Sequence, residues 1–163
     1  MLIEARRPAR QALRGELERA GFEILADVAT IHGAESALRS MAPAVVVLDP
    51  DLPGVSAVDA CRRIVAAAQN DAAVIVHARR GDAASVRAAL DTGIHSYLVK
   101  TIASEGVLVA AIRRVAAGEA VLDPRAALAL QRASLDEQPL RPPLSERERE
   151  VLVLVAEGLT NAA

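Results

Sequence analysis

The chain has 163 residues, of which 52% are apolar and 25% charged, so it can bury one good core and carry a small appendage. Aromatic residues make up only 1%, which excludes stacking on nucleobases as a binding mode, and a formal net charge of -2 gives no overall attraction to nucleic acid. The amino terminus is charged too early for a signal peptide, and no apolar run approaches membrane-spanning length. We therefore expect a cytoplasmic protein with no membrane partner, and its single cysteine, Cys61, cannot form an internal disulfide.

Short apolar runs alternate with longer helical patterns along the first 120 residues, which is typical of a parallel sheet wound with helices. The predicted strands are 2–5, 23–28, 44–48, 73–78 and 96–99. The predicted helices are 8–20, 34–41, 56–69, 82–92 and 104–117. Five strands in this order predict a doubly wound α/β domain over residues 1–120.

Residues 121–143 are predicted to form a linker that begins with a helix. Asp123 is placed to cap a helix over residues 124–133, with Pro124 at its first position. The polar, proline-rich stretch 134–143 is predicted to be a linker.

Residues 144–163 are predicted to open an all-α domain. Ser145 and Glu148 form a capping box at the start of one helix, Gly158 ends that helix, and Thr160 is placed to cap another. A helix, a tight turn and a second helix start indicate an incomplete helix-turn-helix.

Two charged residues end predicted strands that lie at the same edge of the sheet. Asp49 follows the third strand, and Lys100, the only lysine of the chain, follows the fifth. The carboxyl ends of parallel strands carry the binding sites of open α/β sheets, so these side chains are predicted to form a site. The alternative is that Asp49 only caps the turn before the next helix.

These residues carry a family resemblance. The stretch from Asp49 to Gly54, Tyr97 to Lys100 after Gly93, and residues 144–152 together resemble a NarL/FixJ-type response regulator. The resemblance implies a flavodoxin-like receiver domain with Asp49 as phosphoacceptor and Tyr97 as a switch aromatic. It also implies a histidine kinase as partner, a homodimer, and a LuxR-type helix-turn-helix that binds DNA.

The chain departs from the family pattern at three site positions. The acidic pair that binds Mg²⁺ falls on Ala5 and Arg6, and the hydroxyl residue at the end of the fourth strand falls on Ala78. Glu4 is expected about 6 to 7 Å back along the strand, too far to replace a metal ligand. Only Glu4, Asp49 and Asp51 remain as weak metal candidates, so we expect no cofactor, and Mg²⁺ only if the site is competent.

Four arginines on two loops, Arg6, Arg7, Arg79 and Arg80, are predicted to flank the same edge. They could pair with Asp49 or bind a small anionic ligand, or they could be solvated loop charges. Similarly, Tyr97 could act as a switch, but half-buried packing with a hydrated hydroxyl is favoured.

The leading hypothesis is an atypical response regulator that controls transcription through ligand binding, dimerisation or a constitutive state, without Mg²⁺-dependent phosphorylation. One alternative is a conventional phospho-aspartate switch. A second is a phosphohydrolase of the haloacid-dehalogenase type, suggested by Asp49 and Asp51, although its motif normally follows the first strand. We therefore predict that the chain is not an enzyme.

Overall fold

Five parallel strands form a single sheet in the order β2-β1-β3-β4-β5. The computed structural model describes residues 1–69, 72–100 and 106–137. The strands are β1 (Leu2–Ile3), β2 (Asp27–Val28), β3 (Val45–Leu48), β4 (Ala73–Ala78) and β5 (Ser96–Val99). The predicted doubly wound, flavodoxin-like fold is confirmed.

Helices follow the strands and cover both faces of the sheet. They are α1 (Arg7–Arg19), α2 (Ile31–Ser40), α3 (Ala57–Ala68), α4 (Ala83–Leu90), α5 (Val107–Ala116) and α6 (Pro124–Glu137). Side chains of Thr30, Ser56 and Asp82 cap three of them by accepting a backbone N–H from the first turn. Within the described ranges, no helix is long and apolar enough to span a membrane.

The core has two layers because side chains of each strand point alternately to opposite faces. Val46, Leu48 and Val76 belong to the layer under α2, α3 and α4. Val47 and Ile75 belong to the layer under α1 and α5. Both layers are almost entirely aliphatic, as the low aromatic content requires.

The segment after α5 lies along the outer edge of β5. The backbone N–H of Tyr97 donates to the carbonyl of Val121 at 2.9 Å, and the N–H of Asp123 donates to the carbonyl of Tyr97 at 2.8 Å. The Asp123 carboxylate accepts the N–H of Arg125 at 2.9 Å and that of Val99 at 3.2 Å. The predicted cap of α6 is therefore confirmed, and the same side chain also ties α6 to β5.

The compact unit that contains the sheet extends from Met1 to Leu130, past the predicted boundary at residue 120, because Val121 and Ala126 are buried in its core. Helix α6 continues to Glu137, four residues beyond its predicted end at residue 133. Residues 138–143 of the predicted linker lie outside the described residues. Neither glycine nor proline interrupts the sequence between Arg125 and Glu137, so nothing in it stops the helix earlier. The predicted helix-turn-helix of residues 144–163 lies outside the described residues.

Candidate functional site

Lys100 joins two buried carboxylates at the carboxyl edge of the sheet. Its Nζ lies 2.7 Å from Glu4 Oε2 and 2.5 Å from Asp49 Oδ2. The carboxylate side chains are only 2% and 3% exposed, and that of Lys100 is 16% exposed. The backbone N–H of Lys100 donates to Ala78 at 2.7 Å, which continues the β4–β5 pairing and fixes where the side chain begins. The predicted pairing of Asp49 with Lys100 is present in the structure.

Arg6 adds a second cation to this cluster from the solvent side. Its backbone N–H and its Nε donate to Glu4 Oε1 at 3.0 and 3.2 Å. Its Nη2 lies 3.9 Å from Asp49 Oδ2, and half of its side chain is exposed. Glu4, Arg6, Asp49 and Lys100 therefore form one ionic cluster, in which Lys100 is the central buried cation.

The position of Glu4 corrects the sequence prediction. Glu4 was expected to lie back along the first strand, but its carboxylate shares Lys100 with Asp49. The reason is register: Ile3 pairs with Leu48, and the N–H of Asp49 donates to Ile3, so Glu4 comes level with Asp49. β1 also ends at Ile3 rather than at Ala5, which places Glu4 at the sheet edge.

The loop after β3 gives Asp49 a local role as well. Asp49 Oδ1 accepts the backbone N–H of Asp51 at 2.9 Å. Gly54 in the same loop has a φ of +75°, a conformation that side chains with a Cβ rarely adopt. The two interpretations of Asp49 are thus compatible, because one oxygen caps the turn while the other faces Lys100.

The other predicted arginines do not surround Asp49. Arg79 pairs with Asp51 at 3.2 Å, Arg80 pairs with Asp82 at 3.0 Å, and Arg7 is exposed at the start of α1. Of the four arginines, only Arg6 contacts Asp49 in the described part of the chain. Among the alternatives for these arginines, pairing with Asp49 is therefore found only for Arg6, because Arg79 and Arg80 are bonded to the nearest loop acids.

The two carboxylates of the cluster differ in their affinity for a proton. Burial raises the pKa of Glu4, but hydrogen bonds from Lys100 and from the Arg6 backbone outweigh it, and the pKa falls to about 2. For Asp49, burial dominates and raises the pKa. Glu4 is therefore the firmly ionised partner of Lys100, and Asp49 is the carboxylate that takes up a proton first.

Tyr97 is buried, and its hydroxyl donates to the backbone carbonyl of Arg80 at 2.6 Å. The expected hydrated hydroxyl is therefore wrong. Ala78, at the end of β4, is also buried, and together with Tyr97 it lines a cavity between α3 and α4. Burial raises the pKa of Tyr97 to about 12, so this hydroxyl acts only as a neutral hydrogen-bonding group at physiological pH.

His77 is a buried titratable residue next to the ionic cluster. Its Nδ1 has no hydrogen-bond partner among the described residues. Burial, followed by the charge of Lys100 and opposed by Glu4, lowers its pKa to about 4. The His77 imidazole is therefore neutral in the folded protein at pH 7.

His77 is therefore expected to make the protein less stable as the pH falls. Its folded pKa lies below the ordinary value of 6.5, so below pH 6.5 the unfolded state binds the proton more readily. Between pH 7.5 and 5.0 we expect a loss of about 2 kcal/mol that a His77→Leu variant does not show. Urea unfolding at both pH values measures this difference. His32→Leu, which removes an exposed histidine, is the control. Equal pH dependence of the wild type, His77→Leu and His32→Leu would refute the prediction.

Comparisons with known proteins identify the family to which this geometry belongs. The family model for the response regulator receiver domain matches residues 1–113. The chain therefore belongs to the response regulator receiver family, and the recognition of a LuxR-type response regulator from sequence is confirmed. These matches favour the response-regulator hypothesis over the phosphohydrolase alternative.

One named relative and two solved structures illustrate the match. The DNA-binding transcriptional activator DevR/DosR of Mycobacterium tuberculosis is 31% identical over 144 residues, which are 86% of this chain and 65% of that protein. A LuxR-family response regulator from Aurantimonas sp. SI85-9A1 has a TM-score of 0.75 at 26% identity, over 83% of this chain and 96% of that one. RcsB, solved as two dimers bound to two parallel DNAs, has a TM-score of 0.68 at 20% identity, over 96% of this chain and 75% of that one, and shows the fold alone. The chain thus spans about two thirds of DevR/DosR.

The residues at the site do not suit the Mg²⁺ ion that the family implies. Glu4 Oε2 and Asp49 Oδ2 are both bonded to Lys100, and Asp51 is paired with Arg79. In the described ranges, no three His, Cys, Asp or Glu side chains form a group that could hold a metal ion. A hard divalent cation would have to displace an ammonium group that already neutralises the carboxylates.

Proposed function

We propose that this chain is the receiver part of a transcription-regulating response regulator that works without Mg²⁺-dependent phosphorylation of Asp49. The observation that carries the proposal is the position of Lys100, whose ammonium group bonds Glu4 and Asp49 at the same time. The cluster supplies internally the positive charge that a divalent cation would bring to the site. Arg6 supports the proposal by adding a second cation that contacts both carboxylates.

The surroundings of Tyr97 and Ala78 also support a constitutive conformation of the receiver. The Tyr97 ring is already buried and its hydroxyl already bonded, while Ala78 offers no hydroxyl that a phosphoryl group could attract. Both features favour a single state of the receiver that does not depend on a phosphoryl group. Control of the regulator then passes to association of subunits or to a ligand.

Regulation of transcription is proposed from the relatives. DevR/DosR is named as a DNA-binding transcriptional activator, and RcsB has been solved as dimers on DNA. We propose that the complete protein acts as a homodimer on DNA, because helix-turn-helix proteins read paired half-sites. A conventional phospho-switch, driven by a histidine kinase, remains the second candidate because Asp49 and Lys100 are both retained.

Phosphotransfer to Asp49 distinguishes the two candidates. The protein is incubated with Mg²⁺ and acetyl phosphate, and its intact mass is measured beside an Asp49→Asn variant and a conventional receiver as positive control. We expect no added phosphate on either form of this chain, because the oxygens that would hold Mg²⁺ are bonded to Lys100. Near-complete addition of one phosphate that Asp49→Asn abolishes would establish the conventional switch instead.

A further inference from the structure

A cavity of about 260 Å³ opens between α3 and α4, next to the loop that follows Asp49. It exists because the facing positions of the two helices carry alanines, including Ala57 and Ala88, whose side chains are too short to fill the gap. Ala78 at the end of β4 and the ring of Tyr97 form its inner wall. None of the ionic-cluster residues Glu4, Arg6 and Lys100 lines it.

The interior of the cavity is chemically apolar. The Cys61 side chain lines it, and burial raises the pKa of this thiol to about 11, so the sulfur is an uncharged, weakly polar surface. The Tyr97 hydroxyl is already satisfied by the Arg80 carbonyl. An occupant of the interior therefore gains by burying apolar surface and finds few groups there that could stabilise a charge.

Polar side chains are confined to the rest of the lining, where Asp51, Arg80, Asp82 and Ser85 occur. Both oxygens of Asp82 are engaged by Ser85, and the Arg80 Nε donates to Asp82 as well. Asp51 is exposed and is bonded by Arg79 through Oδ2. Each of these two carboxylates is already paired with a guanidinium group, so the polar lining offers an anion no unpaired cation. Carboxylate oxygens can still accept a hydrogen bond, which favours a ligand that carries a donor.

We propose that this cavity binds a small, uncharged ring compound that carries one hydrogen-bond donor, of the indole or phenol kind. The volume suits a ligand of one or two rings, since buried pockets of about 150 Å³ already hold benzene and drug-sized ligands need about 300 Å³ or more. The ring packs between the alanines of α3 and α4 against Tyr97, and its donor faces Asp51. The site goes beyond the proposed function, because it does not depend on whether Asp49 accepts phosphate.

Binding is tested on the whole chain with indole as the probe. Cys61 is the only cysteine, and its raised pKa leaves almost no thiolate at neutral pH, so its reaction with a small maleimide is followed at about pH 9, where the rate reports whether the cavity is filled. We expect that rate to fall about tenfold when indole is present at about ten times its Kd. In parallel, the methyl signals of Ala78 and Ala88 are expected to shift saturably in a carbon–proton NMR spectrum. Benzoate, of similar size but negatively charged, is expected to bind at least about tenfold more weakly.

Filling the cavity provides the matched control. Ala88→Leu is expected to abolish the indole-dependent protection of Cys61, whereas Ala66→Leu, at an exposed position of α3 outside the cavity, is expected to retain it. If Ala88→Leu does not fold, the wild-type titrations decide alone. The proposal is overturned if indole gives no saturable shift up to its solubility limit, if Ala88→Leu is protected like the wild type, or if benzoate binds as tightly as indole. Phosphorylation of Asp49 in the earlier experiment would leave all these outcomes unchanged.

Discussion

Replacing Lys100 by methionine is expected to lower the free energy of unfolding at pH 7 by about 3 kcal/mol, because it leaves two buried carboxylates facing each other without their cation. Methionine preserves the volume and length of the apolar part of the lysine side chain, so the loss is electrostatic rather than a packing defect. Urea unfolding measures the change.

The pH dependence of this variant identifies the cause. Without Lys100, the folded-state pKa values of Glu4 and Asp49 rise above their unfolded values, so the folded state binds protons more readily. The stability difference from wild type should therefore shrink as the pH falls from 7 towards 5. Arg114→Met, which breaks an exposed ion pair with Glu119, is the control and should change stability by at most about 0.5 kcal/mol. A loss at Lys100→Met no larger than at Arg114→Met would contradict the role given to Lys100.

Neutralising Glu4 is expected to destabilise the fold more than neutralising Asp49. The pKa of Glu4 lies at about 2 against an ordinary value of 4.5, which corresponds to about 3 kcal/mol at pH 7 that Glu4→Gln should remove. Burial raises the pKa of Asp49, so its charge is the less favourable of the two, and Asp49→Asn should destabilise the fold less than Glu4→Gln does.

The effect of Glu4 has a defined pH window. Because its folded pKa lies below its unfolded pKa, its contribution is complete above pH 4.5 and disappears as the pH falls from 4.5 to about 2. Unfolding of Glu4→Gln, Asp49→Asn and the wild type at pH 7 measures the order, and repeating it at about pH 3 tests the window. If Asp49→Asn proves the more damaging change, the assignment of Glu4 as the main partner of Lys100 is wrong.

Much of the fold could be predicted because its strands and helix ends are determined by residues that are close in the sequence. Strands buried on both faces appear as short apolar runs, and the residues that end them, Asp49 and Lys100, share one edge in any parallel sheet. The cap at Asp123 and the start of α6 were also visible as a local pattern. Such features depend on a few neighbouring residues.

The features that could not be predicted depend on how separate segments meet. Glu4 reaches the site only because Ile3 pairs with Leu48, and a run as short as β1 does not reveal its register. Arg79 and Arg80 could be placed on the correct loop, but their long side chains bond the nearest acids, Asp51 and Asp82. A charge pattern along the sequence locates such side chains without naming their partners.

The most direct test of the central claim is the backbone amide NMR spectrum of the chain before and after addition of Mg²⁺ with beryllofluoride, a mimic of the phosphoryl group. The ionic cluster of Glu4, Arg6, Asp49 and Lys100 predicts a spectrum that does not change, because Lys100 already neutralises the carboxylates where the metal and the mimic would bind. New signals for Asp49, Ala78 and Lys100, in slow exchange and absent from Asp49→Asn, would contradict it and establish a receiver that is still switched by phosphate.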